Sequence, residues 1–153
     1  MTIVFLSLLI GLVAGLRAMT APTLASWAAY AGVLPVAGTW LGFMASPWTV
    51  GILSLLALAE FITDLLPSTP SRTVPVQLSG RLVTGSLAGA TVGASSGMIL
   101  VGCLCSLVGA ALGTYGGALA REWLARSFRS DPPAAVLEDA IAVLLGLCAA
   151  GLL

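Results

Sequence analysis

The chain has 153 residues, of which 59% are hydrophobic and only 8% are charged, and six basic residues balance six carboxylates without any histidine. A soluble domain carries roughly a quarter of charged residues, so this composition favours a protein surrounded by lipid, which needs almost none. Zero net charge and scattered arginines exclude a nucleic-acid-binding protein. The length is that of a single domain, residues 1–153.

The sequence lacks the residues that a disulfide framework and the usual metal or catalytic sites need. The three cysteines, Cys103, Cys105 and Cys148, lie inside apolar runs, which is typical of packing residues rather than of a disulfide framework. Without histidine, the usual zinc, haem and cysteine–histidine catalytic sites have neither ligand nor base. We therefore predict no metal site, no cofactor and no enzymatic activity.

Apolar runs and helix-start signals divide the chain into helices. The first apolar run has no basic residue before Arg17, which favours a first membrane helix over a cleaved signal peptide. Pro22, Pro47 and Pro132 each follow a capping residue closely, and the first helical turn tolerates proline. The polar segment 67–75 contains three prolines and predicts an extended loop. The six predicted helices are about Thr2–Leu16, Pro22–Leu34, Pro47–Leu66, Gly80–Ser95, Gly97–Leu119 and Pro132–Leu153.

This pattern predicts an all-α fold, a polytopic bundle of about six short transmembrane or half-membrane helices, because a full span needs roughly 20 apolar residues. Arginine-rich loops stay in the cytoplasm, which predicts a multi-pass protein of the cell inner membrane with both termini outside. Arg17 joins the other arginines if helix two crosses the bilayer. If helix two enters and leaves on one side, Arg17 lies opposite them. The loop arginines are Arg72, Arg81, Arg121, Arg126 and Arg129.

Glycines recur every four residues, mainly in the second half of the chain. Such rows lie along one helix face and let a neighbouring backbone approach closely. Tight packing as a glycine zipper is one interpretation, and a narrow path or a homo-oligomer seam is the other. A phosphate-binding loop is excluded, since no strand precedes the glycines. The predicted packing positions are Gly11, Gly15, Gly85, Gly89, Gly93, Gly97, Gly109, Gly113 and Gly117.

A short pattern in helix one, residues 11–15, returns in helix four at residues 85–89. Glu60 in helix three has a counterpart in Glu138 of helix six. Three helices in each half would give halves of opposite orientation, as in the inverted repeats of transporters. The pattern therefore predicts repeat halves 1–66 and 80–153. The alternative left open is that two Gly/Ala-rich helices simply look alike.

Four carboxylates and one arginine are expected inside or at the ends of membrane helices. An ionised group there costs roughly 2.5–3.5 kcal/mol on insertion scales unless it is paired or hydrated. Glu60 and Asp64 share a helix face, and they repel unless a cation, a proton or an arginine joins them. A cation or proton site and an internal ion-pair network are both open interpretations. The predicted ion- or substrate-binding residues are Arg17, Glu60, Asp64, Glu138 and Asp139.

Three features together resemble a known family. They are Gly15-Leu16-Arg17-Ala18 after the first apolar helix, Glu60 and Asp64 followed by Pro67, and a Gly/Ala-rich second half. These features resemble the small bacterial membrane proteins of domain-of-unknown-function family 4126. The resemblance covers most of the chain and implies a multi-spanning membrane protein of uncharacterised function.

We expect a small transporter or channel for an ion or small polar solute, with proton coupling through the intramembrane carboxylates. Its expected partners are the lipid bilayer, the transported solute and a second copy of the chain. The alternative is a non-transporting membrane scaffold or assembly protein that packs through its glycine faces. Carboxylates that face a hydrated cavity would favour transport, and carboxylates locked by arginines would favour the scaffold.

Overall fold

The computed structural model describes residues 1–63, 74–128 and 131–152. All regular secondary structure in these residues is helical, which confirms the predicted all-α class. The elements are α1 (Thr2–Leu16), α2 (Thr20–Tyr30), a 3-10 helix (Trp40–Ala45), α3 (Pro47–Thr63), α4 (Pro75–Ala94), α5 (Ile99–Phe128) and α6 (Asp131–Ala150).

Several predicted boundaries are wrong, among them the end of α5, which lies at Phe128 rather than at Leu119. α2 begins at Thr20 and ends at Tyr30, four residues earlier than expected. α4 begins at Pro75, inside the segment assigned to a loop, because proline at the start of a helix loses no hydrogen bond. α5 begins at Ile99 rather than at Gly97, which has a left-handed backbone conformation with φ of 69°.

Three glycines with left-handed backbones end helices, and this explains where α2, α4 and α6 stop. In each case the glycine N–H bonds to the carbonyl three residues earlier, and the next N–H bonds to the carbonyl five residues earlier. This pair of bonds is the Schellman cap, which glycine makes without the steric penalty of a Cβ. The three glycines are Gly32, Gly97 and Gly151, with φ of 78°, 69° and 73°.

The contacts of α6 with α1 and α2 show that these two helices run antiparallel. Arg17, just after α1, binds Asp139 in the third turn of α6. Two turns further along α6, a Cβ added at Gly146 would meet both Leu24 of α2 and Val13 of α1. Since Leu24 follows the break at Arg17 and Val13 precedes it, α1 and α2 are antiparallel and α6 runs with α2.

α3 reverses direction again. The Thr23 hydroxyl of α2 donates to the carbonyl of Leu53 at 2.9 Å, and the backbone N–H of Ala18 donates to Glu60 at 2.8 Å. Later residues of α3 therefore meet earlier residues of α2. α3 runs back toward the break, parallel to α1.

α5 runs parallel to α1, and the two helices touch through their backbones. A Cβ added at Gly109 would overlap the carbonyl oxygen of Leu8, and one added at Gly113 would overlap that of Leu12. The spacing of four is the same on both helices, as expected for two glycine-lined faces in parallel contact.

α4 and α5 form an antiparallel hairpin through the same kind of contact. A Cβ at Gly89 would overlap the side chain of Ser106, and one at Gly93 would stand 3.1 Å from the Cα of Gly102. Gly97 belongs to the turn of this hairpin, and a Cβ there would meet nothing within 4 Å, so its predicted role in packing is wrong. The other predicted positions in close contact are Gly11, Gly15 and Gly85, and Gly117 is buried.

The helices therefore alternate in direction, and the bundle has two distinct ends. We call one the charged end, where α1, α3 and α5 finish; it holds the break after α1. We call the other the aromatic end, where Tyr30, Trp40 and Trp48 are exposed and the three left-handed glycines lie.

On α5, side-chain size rather than polarity separates the buried face from the exposed face. On α5 the small residues Gly102, Ser106, Ala110 and Thr114 are buried, while the large apolar ones on the opposite face are exposed, Leu100 by 71%. Within the described ranges, one stretch, Ile99–Trp123, is long and apolar enough to cross a membrane, and Thr2–Leu16 and Pro47–Thr63 are shorter apolar helices. The exposed apolar row on α5 consists of Leu100, Leu104, Val108, Leu112, Tyr115 and Leu119.

Candidate ion site at the break between two helices

The break between α1 and α2 lies at the charged end. Arg17 has an extended backbone, with φ of −140° and ψ of 109°, and separates α1 from the start of α2 at Thr20. The carbonyl end of one helix and the amide end of the next therefore lie within three residues of each other. The partial charges of these ends, negative at carbonyls and positive at amides, need opposite charges nearby.

The Arg17 side chain is only 1% exposed and is held from three directions. Its Nε donates to Asp139 Oδ1 at 2.7 Å, and its Nη2 donates to the same oxygen. Its Nη1 donates to the backbone carbonyl of Glu60 at 3.4 Å, and the guanidinium lies 4.5 Å from the ring centroid of Phe61. α3 and α6 thus both hold the arginine of the break.

The carboxylate of Glu60 binds the amide end of the break. Its Oε1 accepts the N–H of Ala18 at 2.8 Å, and its Oε2 accepts the N–H of Met19 at 2.9 Å. Each carboxylate oxygen therefore accepts a hydrogen bond from one backbone N–H, as an anion bound at a helix N-terminus does. Glu60 supplies this carboxylate from α3, more than forty positions away in the chain.

Arg81 binds the carbonyl end of the break. It lies in the second turn of α4, is 3% exposed, and donates from Nη1 to the carbonyl oxygens of Gly15 at 2.8 Å and Leu16 at 2.7 Å. A cation at a helix C-terminus is stabilising. The break therefore has an arginine at its carbonyl end and a carboxylate at its amide end.

Among the described residues, charges of opposite sign meet at the break. The arginines Arg17 and Arg81 lie near the carboxylate of Glu60 and act on it electrostatically, and Arg17 also pairs with Asp139. Asp139 is partly reachable, since its side chain is 19% exposed. Hydrogen bonds between opposite charges are what makes such groups tolerable away from water.

The structure brings together only some of the residues predicted for the site. Arg17, Glu60 and Asp139 meet at the break. Glu138 turns to α5 instead, where its carboxylate lies 3.7 Å from Arg121 Nη1. Asp64 lies outside the described residues, so the expected pairing of Glu60 with Asp64 stays a prediction.

Arg81 was not among the predicted binding residues: it was interpreted as a loop-flanking charge and as one of three arginines that could neutralise Glu60 and Asp64. A signal was present: Arg81 precedes Gly85, Gly89 and Gly93 at the same spacing of four. It therefore shares the helix face that packs on α1 and α5. An arginine in line with a packing row is expected to point into the bundle.

One short segment matches a catalytic motif in its residue types but not in its secondary structure. Residues 93–97 read Gly-Ala-Ser-Ser-Gly, the pattern of a nucleophile elbow, which needs a strand before it and a helix after it. Here it closes α4, and the Ser95 hydroxyl donates to the carbonyl of Val92 at 2.7 Å. It also lies at the aromatic end, away from the charged residues. Among the described residues, no three His, Cys, Asp or Glu side chains are grouped so that they could hold a metal ion.

Comparisons with protein-family models, with curated proteins and with solved structures gave no match.

Proposed function

We propose that this chain is a multi-pass membrane protein that moves a small ion or polar solute across the bilayer at the α1–α2 break. The proposal that the protein lies in a membrane rests first on the apolar side chains that its surface exposes. A soluble monomer rarely exposes large contiguous apolar patches, yet α5 presents an unbroken row of them. A core helix of a soluble protein would be mostly buried, whereas only 33% of the apolar stretch of α5 is buried.

The two ends of the bundle support an orientation. Tyr30, Trp40 and Trp48 at the aromatic end suit the interface with lipid headgroups, where aromatic side chains concentrate. Arg17, Arg81 and the end of α5, which carries Arg121, lie at the charged end. We propose that the protein lies in the inner membrane of the cell and that its charged end faces the cytoplasm. The motifs around Arg17 and Glu60 resemble those of family 4126, and that resemblance implies a multi-spanning membrane protein without indicating its orientation.

The observation that carries the transport proposal is the break itself. Helix ends that meet inside a membrane bundle, with charged residues beside them, are where secondary transporters bind their solutes. Here α1 ends and α2 begins among two buried arginines and two carboxylates. Buried ionisable groups in a membrane are costly and are mostly kept for a function.

The test is flux in proteoliposomes. The parent should move at least one small ion or solute down an imposed gradient, and Asp139→Asn should reduce that flux because Arg17 loses its carboxylate. Glu122→Gln, an exposed carboxylate on α5, is the matched control and should transport like the parent. If the parent moves no tested ion in either direction while it remains folded, the transport proposal is wrong.

A scaffold is the second candidate, and one observation favours it. Both oxygens of Glu60 and Oδ1 of Asp139 already accept hydrogen bonds from the chain itself, as expected of carboxylates that hold helices together. Under this proposal the cluster only holds the break, and the glycine faces assemble the bundle. Both proposals expect Asp139→Asn and Glu60→Gln to lower the melting temperature, so the outcome that identifies the scaffold is the absence of flux in the folded parent.

A further inference from the structure

We propose that α3 is a hinged gate at the charged end of the bundle, which turns about Ser46 and carries Glu60 onto and off the break. The inference rests on the proposed function and names the element that controls access to the same site. The position described above is the closed one, in which the carboxylate of Glu60 accepts the N–H groups of Ala18 and Met19. When α3 turns away, these two donors become accessible from the side that α3 covers.

α3 is much less buried than the two helices that form the break. Two of its 17 residues are buried, Val50 and Ala57, compared with eight of 11 in α2 and seven of 15 in α1. Among the described residues it packs on α2 and the 3-10 helix, whereas α1, α4 and α5 pack on one another through their glycine-lined faces. A Cβ added at Gly51 of α3 would meet nothing within 4 Å. Displacement of α3 therefore disturbs little of the packing that holds α1, α4 and α5 together.

A hinge of one residue joins α3 to the 3-10 helix at the aromatic end. The 3-10 helix ends at Ala45, α3 begins at Pro47, and Ser46 between them has an extended backbone, with φ of −79° and ψ of 137°. The Ser46 N–H donates to the carbonyl of Phe43 at 3.0 Å, and the Ser46 carbonyl accepts the N–H of Val50 at 3.0 Å. Rotation about φ and ψ of Ser46 takes place between these two bonds and breaks neither, as a hinge residue requires.

The base of the hinge is fixed in the bundle. Leu41 and Met44 of the 3-10 helix are fully buried, and the carbonyl of Met44 accepts the hydroxyl of Ser26 from α2 at 2.6 Å. Rotation at Ser46 is therefore transmitted to α3. A helix of 17 residues is about 25 Å long, so a turn of about 20° moves its far end by roughly 9 Å. Such a turn keeps Ser46 in the extended region that a residue before proline prefers.

Glu60 and Phe61 latch the far end of α3 to the break. They lie in its last turn, where rotation about Ser46 produces the largest displacement. The Glu60 carboxylate holds two backbone donors, and the Phe61 ring lies 4.5 Å from the guanidinium of Arg17. Opening deprives the two donors of their acceptor, and this cost holds the gate closed until water or a solute replaces the carboxylate.

The middle of α3 can leave α2 without stranding a polar group. The Thr23 hydroxyl donates to the carbonyl of Leu53 at 2.9 Å, but it also lies 2.6 Å from the carbonyl of Met19 within α2, and that bond survives opening. Nε1 of Trp27 donates to the Ser54 hydroxyl at 3.1 Å, and Trp27 is 45% exposed, so another acceptor can replace Ser54. The latch therefore decides whether the gate is open.

The experiment measures distances between spin labels on α3 and α5 in the detergent-solubilised protein, after its native cysteines have been replaced. The charged-end pair is Ile62→Cys with Leu119→Cys, and the hinge-end pair is Trp48→Cys with Leu100→Cys; all four positions are exposed. We expect the charged-end pair to show a second, longer distance, separated from the first by up to roughly 9 Å. The hinge-end pair should show one distance.

Glu60→Gln should increase the population of the longer distance several-fold, because a neutral amide oxygen accepts backbone donors less strongly than a carboxylate does. Glu122→Gln, an exposed position on α5, is the matched control and should leave both pairs as in the parent. A single distance for the charged-end pair in both the parent and Glu60→Gln overturns the proposal. Equal changes in the two pairs also overturn it, since the whole helix would then detach without a hinge.

Phe61→Leu covers the case in which Glu60→Gln does not fold. It removes the ring from the guanidinium of Arg17 and leaves the Glu60 bonds in place, so the longer distance should gain population by a smaller factor. An unchanged distribution in Phe61→Leu then overturns the proposal. The distances are measured independently of flux: motion of α3 without transport contradicts only the transport function, and transport with an immobile α3 contradicts only the gate.

Discussion

The basic side chains of the break are arginines, and the geometry explains why. Arg17 donates to a carboxylate on α6 and to a carbonyl on α3 while its flat face lies over Phe61. A guanidinium has five donors in a fixed plane, whereas a lysine ammonium is a compact point charge on a flexible stem. One arginine can therefore join three helices, and lysine would satisfy fewer of these contacts.

Asp139→Asn should destabilise the protein, because the buried Arg17 loses its ion pair with the Asp139 carboxylate. Removing one partner of a buried ion pair costs about 3–5 kcal/mol, and the partial exposure of Asp139 favours the lower value. Melting temperature in detergent measures the effect. The double variant Arg17→Gln with Asp139→Asn removes both charges and should lose less than the sum of the single losses. Additive losses would contradict a direct pair.

Arg81→Met should also destabilise the protein, because the carbonyl oxygens of Gly15 and Leu16 lose their donor. Each hydrogen bond to a charged group contributes about 1.5–3 kcal/mol. Arg81→Lys keeps the charge on a shorter side chain and should melt between Arg81→Met and the parent. If Arg81→Lys melts as low as Arg81→Met, the positive charge at the end of α1 contributes nothing.

At the scale of single helices, α5 has one face of small residues and one of large apolar residues. In the proposed lipid environment, burial of apolar surface would not decide which of these two faces packs inside the bundle. Close backbone contact does, since dispersion and weak Cα–H···O contacts require helices that approach closely. The glycine faces therefore decide which helices are neighbours.

Gly89→Ala tests this contact. The added methyl group overlaps the Ser106 side chain and should cost about 1–3 kcal/mol, the range for overpacking. Gly80→Ala is the matched control on the same helix, where a Cβ meets nothing within 4 Å. Gly80→Ala should melt at or slightly above the parent temperature. Equal melting of the two variants would show that the α4–α5 contact is not close.

Gly97→Ala tests a different property, the left-handed turn between α4 and α5. There is open space around Gly97, so only the backbone conformation opposes a side chain, at about 1–2 kcal/mol. Gly116→Ala, also in open space but within α5, should cost nothing by comparison. Thermal unfolding of both variants beside the parent gives the difference.

For the whole molecule, the alternating helices predict which positions lie on the same side of a membrane. In a variant without its three native cysteines, a cysteine at Ser79 should lie at the charged end and one at Gly38 at the aromatic end; both positions are exposed. An impermeant thiol reagent should label Gly38→Cys in intact cells and Ser79→Cys only after lysis. Labelling of both in intact cells would contradict the proposed orientation.

The sequence predicted the helical class and the bounds of α1, because a long apolar run before Arg17 is a local signal. It also selected Arg17, Glu60 and Asp139, since isolated charges in apolar helices stand out. It did not predict their arrangement: Arg17 and Asp139 are 122 positions apart, and only the folded bundle pairs them. The end of α2 was missed because a glycine such as Gly32 ends a helix only when its backbone turns left-handed.

The contact between α1 and α5 has a consequence for the order of biosynthesis. α1 leaves the ribosome first, yet the helix that it packs on most closely begins only at Ile99. At about 5–20 residues per second, that interval is on the order of ten seconds. If the chain enters the bilayer as proposed, the glycine face of α1 has no partner in α5 during this interval and lies against lipid or another protein. The packing of α1, the first helix to be made, is therefore incomplete until α5 has been synthesised.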